Sequence, residues 1–237
     1  MAAKKSAADK ILLLFDLNGT LGYVNKNLKT VSQQGIYTGN ELIKPVFQDA
    51  HQQIYQRPNL KYINHDILLK MKDKFDIGVW SCQSRENTQV QLKYLFGRFF
   101  PQKGLQGKDY AESVEEQEIK PVPISRNLGS IFQKYPQYDE QSTIVVSNFY
   151  NKMEDFQRND LVLPMYHPKV GTTDFIDDRH MHFLYQYLKF ILSLDTAVGS
   201  DIRIRMGYAS YEAFIQRLVK QSKIDSYNYG KNTTPEF

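Results

Sequence analysis

Ile11-Leu12-Leu13-Leu14-Phe15 is an unbroken apolar run that stops at Asp16. A run of strand length without polar alternation is the mark of a strand covered on both faces, as in a parallel sheet. The device recurs at Phe75–Trp80, which ends in Ser81, and at Thr143–Val146, which ends in Ser147-Asn148; Leu161–Leu163 reads as a fourth strand. Between the runs the period changes to that of helices. Leu60, Ile63, Ile67, Leu68 and Met71 predict a helix behind Arg57-Pro58, with proline suited to its start. Val90, Tyr94, Leu95 and Phe96 mark a second helix, Leu128, Ile131 and Phe132 a short third, and Met181, Leu184, Leu188 and Ile191 a fourth. Tyr211, Phe214, Ile215, Leu218 and Val219 mark a fifth.

Residues 22–44, dotted with glycine, are too long for an ordinary connection and predict a folded flap. Residues 97–123, with the acidic stretch Glu112 to Glu118, read as an irregular insertion. The alternation of strand and helix predicts one α/β domain over residues 10–222, doubly wound around an open and mostly parallel sheet. A basic tail precedes it at 1–9 and a polar tail follows at 223–237.

Composition narrows the classes. With 237 residues, 41% hydrophobic and 13% aromatic, the chain can bury a sizeable core and is no disordered tail. No window approaches the ~20 apolar residues of a membrane-spanning helix, so a soluble or peripheral, intracellular protein is expected. The lone Cys82 excludes a disulfide framework and any zinc site of paired cysteines. The formal charge of +4 sits at the ends: residues 1–10 carry three lysines against one aspartate, and residues 201–237 six cations against four acids. The neutral middle argues against a dedicated nucleic-acid face.

In doubly wound folds ligands lie beyond the carboxyl ends of the strands, which singles out Asp16, Ser81, Ser147 and Asn148. Asp16, at a strand tip before the Asn18-Gly19-Thr20 turn, is a candidate carboxylate nucleophile for a phosphoryl group. Capping of that turn accounts for it equally well.

Leu14-Phe15-Asp16-Leu17-Asn18-Gly19-Thr20-Leu21 resembles the DxDGTL signature of the haloacid dehalogenase superfamily. Tyr55-Gln56-Arg57-Pro58, then Ile77-Gly78-Val79-Trp80-Ser81, resemble the phosphatases of the RNA polymerase II C-terminal domain, the NLI-interacting-factor-like family. Lys120-Pro121, Ser125-Arg126-Asn127-Leu128 and Ile131-Phe132 are similar to the stretch around that family's third-motif lysine. Thr143 to Asn148 sits where its acidic fourth motif belongs, and Asn159 to Pro164 resembles the strand after it. The likeness keeps the same order from Ile11 to Leu194.

The resemblance implies an aspartyl-phosphate mechanism. One Asp attacks phosphorus, an Asp two residues on is acid and base, a hydroxyl and a lysine hold the phosphate, and an acidic pair completes a magnesium site. Asp16 matches the nucleophile and Ser81 the hydroxyl. Asn18 replaces the acid and base, and Ser147-Asn148 replaces the acidic pair. Arg126 aligns with the lysine, with Lys120 as the competing match. Asp177-Asp178 is a rival acidic pair, although an acidic first turn of the next helix explains Asp174, Asp177 and Asp178 more simply.

Other groups weigh less. Cys82 to Arg85 lacks the HCx₅R loop of thiol phosphatases because position 88 is Thr, so Cys82 reads as a small core residue beside Trp80. His180 and His182 face different sides of a helix and make a poor metal pair. Arg203, Arg205, Arg217, Lys220 and Lys223, interleaved with acids, read as a solvated face or protein contact.

The expected function is a catalytically inactive phosphatase-like domain, a structural or protein-binding subunit of a larger assembly with no cofactor. The alternatives are an active magnesium-dependent phosphoserine or phosphothreonine phosphatase, and a phosphopeptide reader that uses Ser81, Arg126 and Lys120. The family also includes the presequence-receptor subunit of the mitochondrial inner-membrane translocase, so the resemblance is compatible with a mitochondrial, nuclear or cytoplasmic location.

Overall fold

A computed structural model describes residues 10–26, 35–38, 41–60, 62–67, 70–81, 83, 85–96, 127–148, 156–168, 178–194 and 200–221. Strand β1 (Ile11–Phe15) is followed by the expected flap. Its strands are β2 (Gly22–Asn25), β3 (Ile36–Thr38), β4 (Glu41–Ile43), β5 (Phe47–Gln48) and β6 (Gln53–Gln56). They form a three-stranded sheet, β2-β6-β5, and a two-stranded ribbon, β3-β4, paired antiparallel throughout.

After Pro58 the chain makes a single wide π-helical turn, Tyr62–Ile67, where the sequence spacing predicted a helix reaching Met71. Asn59 interrupts the run with a left-handed φ of 61°, a conformation asparagine tolerates. Its side-chain amide donates to the Asp178 carbonyl at 3.0 Å. Leu60, Ile63, Ile67 and Met71 are buried as their spacing required; Leu68 lies outside the described residues.

Strand β7 (Phe75–Val79) then pairs parallel with β1, Ile11 opposite Phe75 and Phe15 opposite Val79. Helix α1 (Arg85–Phe96) follows. Its buried side adds Thr88 and Gln91 to Leu92, Leu95 and Phe96, while Val90 and Tyr94 are half-buried. Helix α2 (Leu128–Lys134) is capped by Asn127, whose side chain accepts from the Gly129 N–H. Strand β8 (Thr143–Ser147) docks on the other side of β1, and β9 (Asp160–Val162) on β8, both parallel. The sheet order is β7-β1-β8-β9.

Among the described residues three helices follow: α3 (His180–Ser193), α4 (Ile202–Tyr208) and α5 (Tyr211–Gln221). Leu13 and Phe15 pack with α1, the π turn, α3 and α5 on one face of the sheet. Leu12 and Leu14 pack with Trp80 and α2 on the other. Covering of both faces is why β1 carries no polar alternation.

Helix α4 was not anticipated, and it removes Arg205 from the expected solvated face, because that side chain is buried at 4% exposure. The tails, the whole of the insertion at 97–123, Cys82, Lys120 and Arg126 lie outside the described residues. Among the described residues no helix is long and apolar enough to cross a membrane.

Candidate functional site

The ladder hydrogen bonds bring the carboxyl ends of three strands level. Asp16 N–H donates to the Val146 carbonyl and Trp80 N–H to the Phe15 carbonyl, at 2.9 and 2.8 Å. Asp16, Ser81 and the Ser147-Asn148 pair therefore meet at one sheet edge, as the sequence reading required. Asp16 is 5% exposed, and its Oδ1 accepts the Leu17 N–H at 2.9 Å. Ser81 is also buried, and its Oγ accepts the Gln83 N–H at 3.2 Å.

The turn after Asp16 is tight: Gly19 N–H bonds to the Gly22 carbonyl, and the Thr20 and Leu21 N–H groups to the Leu17 carbonyl. Gly19 has φ +80°, and a Cβ there would stand 2.1 Å from Asn148 Nδ2. Only glycine fits a left-handed turn with an amide pressed onto its backbone. Asn148 thus covers the loop where the fourth motif was expected.

The positions where the resemblance called for acids hold groups engaged with the fold. Asn18 Oδ1 accepts the Val24 N–H of the flap at 3.1 Å. Ser147 Oγ donates to Asp160 Oδ1 on β9 at 2.8 Å. The rival acid Asp178 is not part of the helix that follows, which starts at His180 behind the N-cap position Arg179. Asp178 Oδ2 takes the Arg57 guanidinium at 2.9 Å, and Oδ1 takes the His180 N–H at 2.9 Å. Both oxygens are committed to a structural pair; Asp174 and Asp177 lie outside the described residues.

Arg57 is the group the sequence reading undervalued, taking it only as part of a motif. It is 1% exposed. Besides Asp178 it donates to the carbonyls of Thr20, in the Asp16 loop, and Pro164, beyond β9, at 3.0 and 2.9 Å. Tyr166 N–H returns from that second segment to the Gly19 carbonyl at 2.8 Å. One guanidinium thereby ties together the candidate loop, the strand after the fourth motif and the start of α3. Full burial, rare for an arginine and shared here with Arg205, is what marks it.

His180 is buried against Tyr211, whose hydroxyl lies 3.4 Å from Nδ1. Burial, and secondarily the Arg57 charge, push its imidazole down to about 4. His182, half-buried against Tyr62, is likewise shifted down by burial. Neither histidine joins a metal cluster: among the described residues no three of His, Cys, Asp and Glu gather as ligands.

The magnesium ion implied by the resemblance would meet fewer acids in this donor set than the family's motifs supply. Asp16 is the one carboxylate among the matched positions, beside the amides Asn18 and Asn148 and the hydroxyl Ser147. Magnesium is usually held through one or two carboxylates plus substrate phosphates, so Asp16 alone is the least that such a site can offer.

The Ser147 contact makes a specific prediction. Ser147→Asp, the change that would restore the first acid, sets a second carboxylate against Asp160 and is expected to destabilise the fold by about 1–3 kcal/mol at neutral pH. Adding Asp160→Asn should recover most of that loss. Urea denaturation of the two variants at pH 7 checks both, and equal stability of Ser147→Asp and wild type would refute the contact.

The family model described as NLI interacting factor-like phosphatase matches residues 11–203. No curated protein sequence matches the chain. Among solved structures it is similar to Fcp1, described as an essential RNA polymerase II CTD phosphatase, at 12% identity and TM-score 0.42, over 83% of this chain and 56% of that one. A second, fission yeast Fcp1 carrying a substitution and bound to beryllium fluoride, is similar at 12% identity and TM-score 0.42, over 90% and 56%. The chain spans a little over half the length of both.

Proposed function

Since this chain belongs to the NLI interacting factor-like phosphatase family, its departures from that family's chemistry bear on its role, and we propose that it is a phosphatase-like domain without turnover. In this reading it serves as a structural or protein-binding subunit of a larger assembly. The observation that carries the reading is the engagement of two of the three degenerate positions: Asn18 holds the flap and Ser147 holds β9. An amide has no proton to exchange near neutral pH, which forfeits acid and base catalysis typically worth 10²–10⁴-fold. Phosphoryl transfer depends further on neutralising charge at the transferring group, and of the matched acidic positions Asp16 alone keeps a carboxylate that could hold the metal ion supplying it. Of the rival acidic pair, Asp178 is engaged by Arg57.

A steady-state assay with an aryl phosphate and magnesium tests this. The expected result is no turnover above background, with Asp16→Asn indistinguishable from wild type. Turnover that disappears in Asp16→Asn would return the chain to the active phosphatases.

A further inference from the structure

Asn18-Gly19 is the one asparagine-glycine pair in the chain; every other asparagine precedes a residue that carries a Cβ. The distinction matters chemically. A backbone nitrogen that follows asparagine can close a five-membered ring on the side-chain Cγ, an attack favoured by proximity, and glycine puts no Cβ in its way.

The fold leaves this pair open to that reaction. From Asp16 to Leu21 every residue is buried except Asn18, which is exposed, so water reaches its amide. Its Oδ1 accepts the Val24 N–H at 3.1 Å, and a donor on that oxygen favours the negative charge that develops there when Cγ is attacked. Among the described residues nothing accepts from Nδ2, the nitrogen that must leave. One restraint opposes these features: the Gly19 N–H donates to the Gly22 carbonyl at 2.6 Å. The nitrogen must leave that carbonyl before it attacks, so the reaction waits on local opening of the turn.

The product suits the site. A carboxylate at position 18 keeps an acceptor for the Val24 N–H, and a charged acceptor holds that bond more strongly. It also stands two residues beyond Asp16, where the resemblance calls for the acid and base. The isomeric product, isoaspartate, would add a methylene carbon to the main chain. It would fall between the Leu17 carbonyl, which receives the Thr20 and Leu21 N–H groups, and Gly19, against which Asn148 is pressed. The closed turn therefore favours aspartate.

We propose that Asn18 is a self-deamidation site, at which the chain converts its own amide into the absent carboxylate with water as the co-reactant. The Gly19 nitrogen gives its proton to solvent and bonds to Cγ, and Nδ2 takes up a proton and leaves as ammonia. Water then adds to Cγ of the resulting succinimide, the bond from Cγ to the Gly19 nitrogen breaks, and that nitrogen recovers a proton. The net charge of +4 falls by one.

Ageing the full chain, folded, in mildly alkaline buffer made with heavy-oxygen water, followed by digestion and mass spectrometry, tests this without recourse to activity. Aspartate carrying heavy oxygen is expected at position 18, formed at least about tenfold faster than at any other asparagine and more slowly than in the same chain unfolded in urea. The aged protein should shift on ion exchange by one charge, and Asn18→Gln, whose ring would need one more atom, should not shift. Asparagine that persists at position 18 of the folded chain while the urea-unfolded chain converts there would show that the turn protects it, and would overturn the proposal. So would conversion no faster than at other asparagines, or isoaspartate as the main product.

Discussion

Arg57→Met is expected to cost about 3–5 kcal/mol of folding free energy at neutral pH, the range for breaking a buried ion pair by removing one partner. The loss does not come from the pair alone. Removing the guanidinium leaves the Asp178 carboxylate buried beside apolar groups and withdraws the donors from the Thr20 and Pro164 carbonyls. An unsatisfied buried group costs about 1–3 kcal/mol. Asp178→Asn should cost less, because the amide keeps an acceptor for the His180 N–H. Combining Arg57→Met with Asp178→Leu should be milder than the sum of the single changes, since neither charge is then stranded. Urea denaturation at pH 7 reads all of these. A cost below about 1 kcal/mol for Arg57→Met would mean that the three segments are held together without it.

Acidification should produce the second large effect. His180 titrates at about 4 in the folded chain, against about 6.5 when unfolded. Between these values the unfolded state binds the extra proton, so stability rises with pH across that window. The contribution is complete above pH 6.5 and fades as pH falls toward 4, reaching about 3 kcal/mol on this difference. His180→Gln should flatten the wild-type slope between pH 4 and 6.5 while leaving carboxylate titration in place. If the slope is the same in both proteins, His180 is not its source.

The strands were legible because burial on both faces demands uninterrupted apolar residues, and their ends were legible because Asp16, Ser81 and Ser147 break those runs abruptly. Helices α3 and α5 were legible for the same reason in a different period. Helix α4 was hidden: its run Ile202 to Tyr208 alternates arginine with apolar residues, which reads as a charged face until Arg205 is seen to be buried. The π turn was hidden because Leu60, Ile63, Ile67 and Met71 satisfy helical spacing whether or not the backbone stays helical between them. At the site, Asp16, Ser81 and Ser147 stand at the level ends of neighbouring strands. What no local pattern could reveal were contacts between distant segments. Arg57 meets Asp178 from 121 positions away, and Ser147 meets Asp160 across two strands. The first engages the rival acid Asp178, and the second engages the hydroxyl that stands in place of a fourth-motif acid.

The sheet order also sets the timetable of synthesis. β1 lies between β7 and β8, so Leu12 is not flanked on both sides until Thr143 has been made. At ~5–20 residues per second the interval is on the order of ten seconds, during which Ile11 to Phe15 remain an incompletely covered apolar strand outside the ribosome. A segment of that character invites pairing with other nascent chains. The central strand that anchors the finished fold is therefore also the part of the chain with most need of a chaperone while translation proceeds.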